Sequence, residues 1–239
     1  MKLSLTTLAL AAPQFALALV GNGWTFSGTP AGGLKDVTFP FKMYGAAHKS
    51  GYYFAQQFNF NGISEVGYCG IQNRPSQGGK SVVHAVFSTF QGGSTTNDPN
   101  CHYGADGGPG VSCAVDFEGD YSVVYNIVVQ HVTKTTWKGT AVNTATGKSV
   151  HIGTFTLPSS AGGIRSSQVG FVEYYPWNAG THQCKDLPKT SVVMYNPFSS
   201  TPGAGVGRIQ KPYEYGDCVG KVAFATSAVK NGYDITCGF

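Results

Sequence analysis

A two-residue alternation of apolar and polar positions recurs along most of the chain. In residues 37–43, Val37, Phe39, Phe41 and Met43 alternate with Thr38, Pro40 and Lys42. In residues 52–60, Tyr52, Phe54, Gln56, Phe58 and Phe60 alternate with Tyr53, Ala55, Gln57 and Asn59. Successive side chains of a strand point to opposite faces, so a period of two predicts half-buried strands. Residues 66–72, 81–90, 121–131, 134–143, 148–157, 168–175, 190–195 and 221–226 follow the same habit, each bounded by Gly, Pro, Asn or Ser. Asn143-Thr-Ala-Thr-Gly147, between two Thr- and Val-rich runs, predicts a hairpin turn. No segment sustains a 3.6-residue apolar period with caps, which leaves helix a minor part. Regularly spaced short strands, about ten of them, predict an all-β fold: a two-sheet antiparallel β-sandwich of jelly-roll (concanavalin-like) type. No linker, repeat or composition shift marks a second domain.

The amino terminus departs from this pattern. Met1-Lys2 precedes an apolar run over residues 3–20 that is too short to span a membrane and is interrupted by Gly21-Asn22-Gly23. It contains Ala16-Leu17-Ala18, a small-x-small cleavage pattern. The expectation is a signal peptide over residues 1–18, a single β-sandwich domain over residues 19–239, and a secreted, extracellular product. No later apolar stretch approaches membrane-spanning length.

Composition narrows the function. Only 12% of the 239 residues are charged, against 41% hydrophobic and 13% aromatic, where soluble domains average about 25% charged. The net charge of +4 is thinly spread and Lys and Arg never cluster, so neither nucleic acid nor an anionic membrane is an expected partner. The six cysteines, Cys69, Cys101, Cys113, Cys184, Cys218 and Cys237, read as up to three disulfides in a secreted chain. Cys101 and Cys113 bracket a glycine-rich loop short enough to be closed locally, and that bridge is the one expected. No Cys-x-x-Cys motif suggests a metal, and no N-glycosylation sequon occurs. Asp98 and Asp106-Gly107-Gly108 offer oxygens suited to calcium but match no EF-hand spacing, and read as turns. The expectation is therefore no metal and no cofactor.

Nucleophile elbows, phosphate loops, dinucleotide fingerprints and metalloprotease helices are absent from the sequence. Near Ala18 there is also no histidine of the kind that copper oxygenases of polysaccharides need at their amino terminus. With only 12 acids in the chain, an acid inside a strand stands out. Alternation places Glu173 on the face of Val169, Phe171 and Tyr175, an apolar setting that raises a carboxyl pKa and suits it to acid or base work. The alternative is a structural carboxylate held by hydrogen bonds. Gln56 and Gln57 are adjacent, so one must face each side of the sheet, and Gln72 ends its strand. A strand amide either satisfies neighbouring backbone or meets the hydroxyls of a sugar. His84 and His131 are possible proton carriers or satisfied core histidines. Tyr174-Tyr175-Pro176-Trp177 leaves a strand for a loop, and such rings stack on pyranose faces or fill cores, as do Trp24 and Trp137.

These residues carry two resemblances. The order Tyr53-Phe-Ala-Gln-Gln57, Gly67-Tyr-Cys-Gly-Ile-Gln72, Val86-Phe-Ser88, the Cys101 to Cys113 loop and Gly170-Phe-Val-Glu173 resembles a family of secreted fungal and bacterial domains of unknown function, over roughly residues 50–197. That resemblance implies a role outside the cell and fixes no reaction. Phe171-Val-Glu173, with the hairpin of residues 140–147 before it, is similar to the glutamate strand of fungal glutamic peptidases, which pair that acid with a glutamine on the concave sheet. Their glutamine strand has no good copy here, leaving Gln57 or Gln72 as stand-ins, and those peptidases are acid-rich where this chain is basic.

Three functions follow in order: a carbohydrate-binding, lectin-like protein for cell-wall or extracellular polysaccharide; a polysaccharide lyase or glycoside hydrolase on the same fold; and a glutamic-type peptidase. The binding residues are expected to be Gln57, Tyr68, Tyr174, Tyr175 and Trp177. For an enzyme, Glu173, Gln72 and His84 are the catalytic candidates. The sequence gives no indication of oligomeric state.

Overall fold

The computed structural model describes residues 18–239, so the expected signal peptide lies outside the described residues except for Ala18. Among the described residues sixteen strands form two sheets, every pairing antiparallel. The nine-stranded sheet contains β1 (Ala18–Phe26), β3 (Tyr52–Asn59), β4 (Val66–Asn73), β5 (Val82–Thr89), β6 (Cys101–Ala105), β7 (Gly108–Glu118), β11 (Ser167–Tyr174), β13 (Gly207–Ile209) and β14 (Tyr213–Glu214). Its order is β13-β1-β11-β3-β4-β5-β7-β6, with β14 added on β1. The seven-stranded sheet contains β2 (Asp36–Lys42), β8 (Tyr125–Thr133), β9 (Thr136–Asn143), β10 (Ser149–Thr156), β12 (Thr190–Tyr195), β15 (Ala225–Val229) and β16 (Gly232–Cys237). Its order is β10-β9-β8-β2-β12-β16-β15. The only helical pieces described are two 3-10 turns, Tyr175–Ala179 and Cys184–Asp186.

The predicted two-sheet sandwich is the observed one, and aromatic residues hold it shut. Phe87 of β5 stacks on Phe155 of β10 at 4.3 Å, and Trp24 of β1 meets Phe39 of β2 edge-on at 5.2 Å, each pair joining the sheets. Trp24, Trp137, Phe39, Phe54, Phe58 and Phe87 are among the fully buried side chains, and burying a ring of this size contributes on the order of 1.5–3 kcal/mol. The hairpin between β9 and β10 forms where expected: Asn143 Oδ1 accepts from the amides of Ala145 and Thr146.

Four expectations are corrected. Strand β1 runs through Gly21-Asn22-Gly23, which read as a break. Gly21 lets the Tyr213 ring lie over this strand, where an added Cβ would come within 2.8 Å of it. The Cys101 to Cys113 segment is a hairpin, β6 and β7, with the two cysteines directly opposed and bridged. The last strands fall at β15 and β16, not at 221–226. Finally, the six cysteines make two disulfides, Cys101–Cys113 and Cys184–Cys218, leaving Cys69 and Cys237 as free, buried thiols. These two sit in different sheets, on β4 and β16, and burial pushes the Cys237 thiol up to about 12.

Candidate functional site

Strand parity sorts the nine-stranded sheet into two faces. Phe54, Gln56 and Phe58 of β3 point into the sandwich, while Tyr53, Ala55 and Gln57 point outward. Register then aligns outward residues into rows. The first row reads Glu173 (β11), Tyr53 (β3), Gln72 (β4), His84 (β5) and Asp116 (β7). A second, four residues along β3, reads Gln57, Tyr68, Ser88 and Ser112. Tyr53, Ala55, Tyr68, Val86 and Phe171 form a separate apolar cluster on this face, joined by Phe90 and Tyr175.

Glu173 is the buried acid of the face, at 6% exposure. Burial raises its pKa, and the nearby Asp106 carboxylate adds to that; opposing both, Asn178 Nδ2 donates to Glu173 Oε1 at 2.6 Å. Beside it, the Tyr53 hydroxyl is buried with no hydrogen-bond partner among the described residues. A buried unpaired hydroxyl costs about 1–3 kcal/mol, which marks it as a group with capacity to spare. Burial likewise drives the Tyr53 phenol well above its ordinary range, so it stays protonated. The Tyr68 hydroxyl contacts both Asp106 oxygens, at 3.0 and 2.9 Å, drawing the tip of the β6–β7 hairpin over the row.

At the other end of the first row, His84 Nδ1 lies 2.7 Å from Asp116 Oδ1. Burial and the charge of Arg74 lower the His84 pKa, outweighing Asp116. A carboxylate only accepts, so the neutral ring donates Nδ1–H and turns a lone pair on Nε2 outward. Arg74, just beyond β4 and in parity with Gln72, donates from Nη1 to the Tyr175 hydroxyl at 3.0 Å.

Of the predicted residues, Glu173, Gln57, Tyr68, Gln72, His84 and Tyr175 share this face. Gln56 faces inward, donating to Asn22 Oδ1 at 3.2 Å. The expected places of Tyr174 and Trp177 are corrected. Tyr174 has the opposite parity to Glu173 and packs on Tyr52 at 5.0 Å. Trp177 is folded inward by the 3-10 turn, 9% exposed and stacked on His182 at 4.4 Å. His131 belongs to β8 in the other sheet, against Trp137, while Trp24 and Trp137 are core. Neither Arg74 nor Asn178 stood out in the sequence, and Asp106 read only as a turn residue. Arg74 was discoverable from its parity with Gln72, whereas Asp106 reaches Tyr68 only through the unrecognised hairpin. Two clefts lie off this face: one of about 400 Å³ at residues 95–99 with Thr154 and Thr156, and one of about 350 Å³ beside Trp177 and His182.

No family model matches the chain, and no curated protein matches it. Among solved structures, it is similar to scytalido-glutamic peptidase bound to a peptide-based transition-state analogue, at 12% identity and TM-score 0.49 over 94% of this chain and 100% of that one. SCP-B, a member of the eqolisin family of peptidases in complex with a tripeptide, aligns at 11% identity and TM-score 0.48, again over 94% and 100%. The enzymatically active domain of tailspike protein 2 of bacteriophage CBA120 aligns at 14% identity and TM-score 0.35, over 82% of this chain and 24% of that one. Glutamic peptidases are among these solved structures, and no family model supports the likeness to the secreted domains.

Proposed function

We propose that the outer face of the nine-stranded sheet binds an extracellular carbohydrate polymer. The observation that carries this reading is the convergence, by strand register, of amide, phenol, hydroxyl and carboxyl groups in Gln57, Gln72, Tyr68, Ser112 and Glu173 over a buried aromatic floor. Sugars present hydroxyls that donate and accept together, which amides and hydroxyls match, and apolar ring faces that aromatic side chains cover. The low charge fits a neutral, hydrogen-bonding surface, and the two disulfides fit an oxidising, extracellular compartment.

A second reading, catalysis on the same polymer, is favoured by one observation: a buried carboxyl with a raised pKa lies opposite an unpartnered phenol. Glu173 would move a proton and Tyr53 would donate to developing negative charge. A glutamic-type peptidase needs a glutamine beside its glutamate; opposite Glu173 stands Tyr53, with Gln72 one strand farther.

The test is to incubate the mature protein with fungal, plant and bacterial wall polysaccharides, scoring retention and soluble fragments. Retention without fragments supports binding. Fragments that vanish in Glu173→Gln support catalysis, an unsaturated end marking a lyase and a new reducing end alone a hydrolase. Neither signal on any polymer overturns both readings.

A further inference from the structure

We propose that the Gln72–His84 end of this face contains a carboxylate-binding subsite centred on Arg74, so that the polymer taken is a polyuronate. The inference rests on the carbohydrate reading above and deepens it. The guanidinium is the observation that points there. Arg74 is half-buried and makes no ion pair among the described residues. The acids of β7, one strand beyond β5, are engaged with other groups, Asp116 with His84 at 2.7 Å and Glu118 with Lys80 at 2.7 Å. A partly buried cation with no carboxylate of its own is a cation for an incoming one, because a desolvated guanidinium gains most from a bidentate anionic partner.

Arg74 is also held in place. Its backbone amide donates to the Tyr121 hydroxyl at 2.9 Å, and that hydroxyl donates to the Val82 carbonyl at 2.7 Å, tying the end of β4 to the start of β5. Among the described residues only Nη1 of the guanidinium is used, by the Tyr175 hydroxyl and the Asn73 carbonyl. Nη2 and Nε remain as the fork that a carboxylate accepts from. Gln72 lies two residues back on the same face, and His84 lies directly across from Gln72, so amide and imidazole flank the position. β11 and β4 are two strands apart in the sheet, and the guanidinium reaches toward β11 as far as the Tyr175 hydroxyl, so one bound polymer segment would meet both the cation and the Glu173–Tyr53 pair.

The experiment compares the mature protein's affinity for oligogalacturonate with that for the same oligomer after its carboxyls are reduced to alcohols, and for a neutral β-glucan. Arg74→Gln and Arg74→Lys are measured alongside. Affinity for the uronate at least tenfold above the reduced oligomer, lost at least tenfold in Arg74→Gln and only partly restored by Arg74→Lys, supports the subsite. Equal binding of native and reduced oligomers, or an unaffected Arg74→Gln, overturns it while leaving the carbohydrate reading intact. Retention on no polymer sinks both. Should Arg74→Gln fail to fold, the comparison of native with reduced oligomer on the unaltered protein decides alone.

Discussion

Glu173 and Tyr53 show function set against stability within a single pair of residues. The folded state raises the pKa of Glu173 through burial, so folding favours its neutral form. Above the unfolded pKa near 4.5 the native state holds more of this proton than the unfolded chain does, and stability falls as pH rises through the folded pKa. Glu173→Gln keeps an oxygen for Asn178 and removes the charge. It is expected to raise the melting temperature at pH 7 and to lose that advantage below about pH 4.5; a variant less stable at neutral pH would mean that the charged carboxylate is held by partners stronger than Asn178. Tyr53→Phe deletes a hydroxyl that has no partner among the described residues, and should leave stability unchanged or gain about 1 kcal/mol in urea unfolding, while weakening polymer binding or turnover. A loss of stability in that variant would place a structural water on the hydroxyl. His84 works in the opposite sense. Its lowered pKa stabilises the fold above the unfolded value near 6.5, and that contribution is lost as pH falls toward the folded pKa.

At the scale of elements, legibility followed the period. The central strands β2 to β5 and β8 to β12 could be read from alternation because apolar core residues recur at every second position, although β2 to β5 and β12 are buried on both faces and not half-buried as the alternation predicts. Strand β1 was hidden by its glycines, and β6 and β7 by a run of Gly, Pro and Asp that reads as loop until the cysteines are seen to face each other. The part of the site carried by alternation, Glu173 with Tyr175 and Gln57, was visible; the part carried by cross-strand register, Tyr53 beside Glu173 and Asp116 beside His84, was not, since a single sequence does not specify which strands adjoin. The β6–β7 hairpin also makes a testable demand on the other sheet. Gly153 of β10 lies against its disulfide, and an added Cβ would sit 2.4 Å from Cys113 Cβ and 2.5 Å from Cys101 Sγ. Gly153→Ala should therefore destabilise the protein by about 1–3 kcal/mol, as overpacked cores do. Because the hairpin carries Asp106 to Tyr68, the same variant should weaken polymer binding, and unchanged stability in chemical denaturation would show that β10 can retreat from the bridge.

For the molecule as a whole, the two sheets are joined by rings and not by cysteines. Each disulfide stays local: Cys101–Cys113 closes a hairpin, with a sequence separation of 12, and Cys184–Cys218 ties two loops, with a separation of 34. The remaining cysteines lie in the shared core, Cys69 in one sheet and Cys237 in the other, both buried and both with thiol pKa values raised by that burial. A buried protonated thiol is a poor nucleophile and behaves as a small apolar side chain. A thiol reagent should accordingly titrate no group in the native protein, two after unfolding without reductant, and all six cysteines after reduction. The middle number discriminates. Three disulfides would leave nothing to titrate in the unfolded, unreduced chain, and a Cys69–Cys237 bridge of that kind would require strands β4 and β16 to approach each other across a core now filled by aromatic side chains.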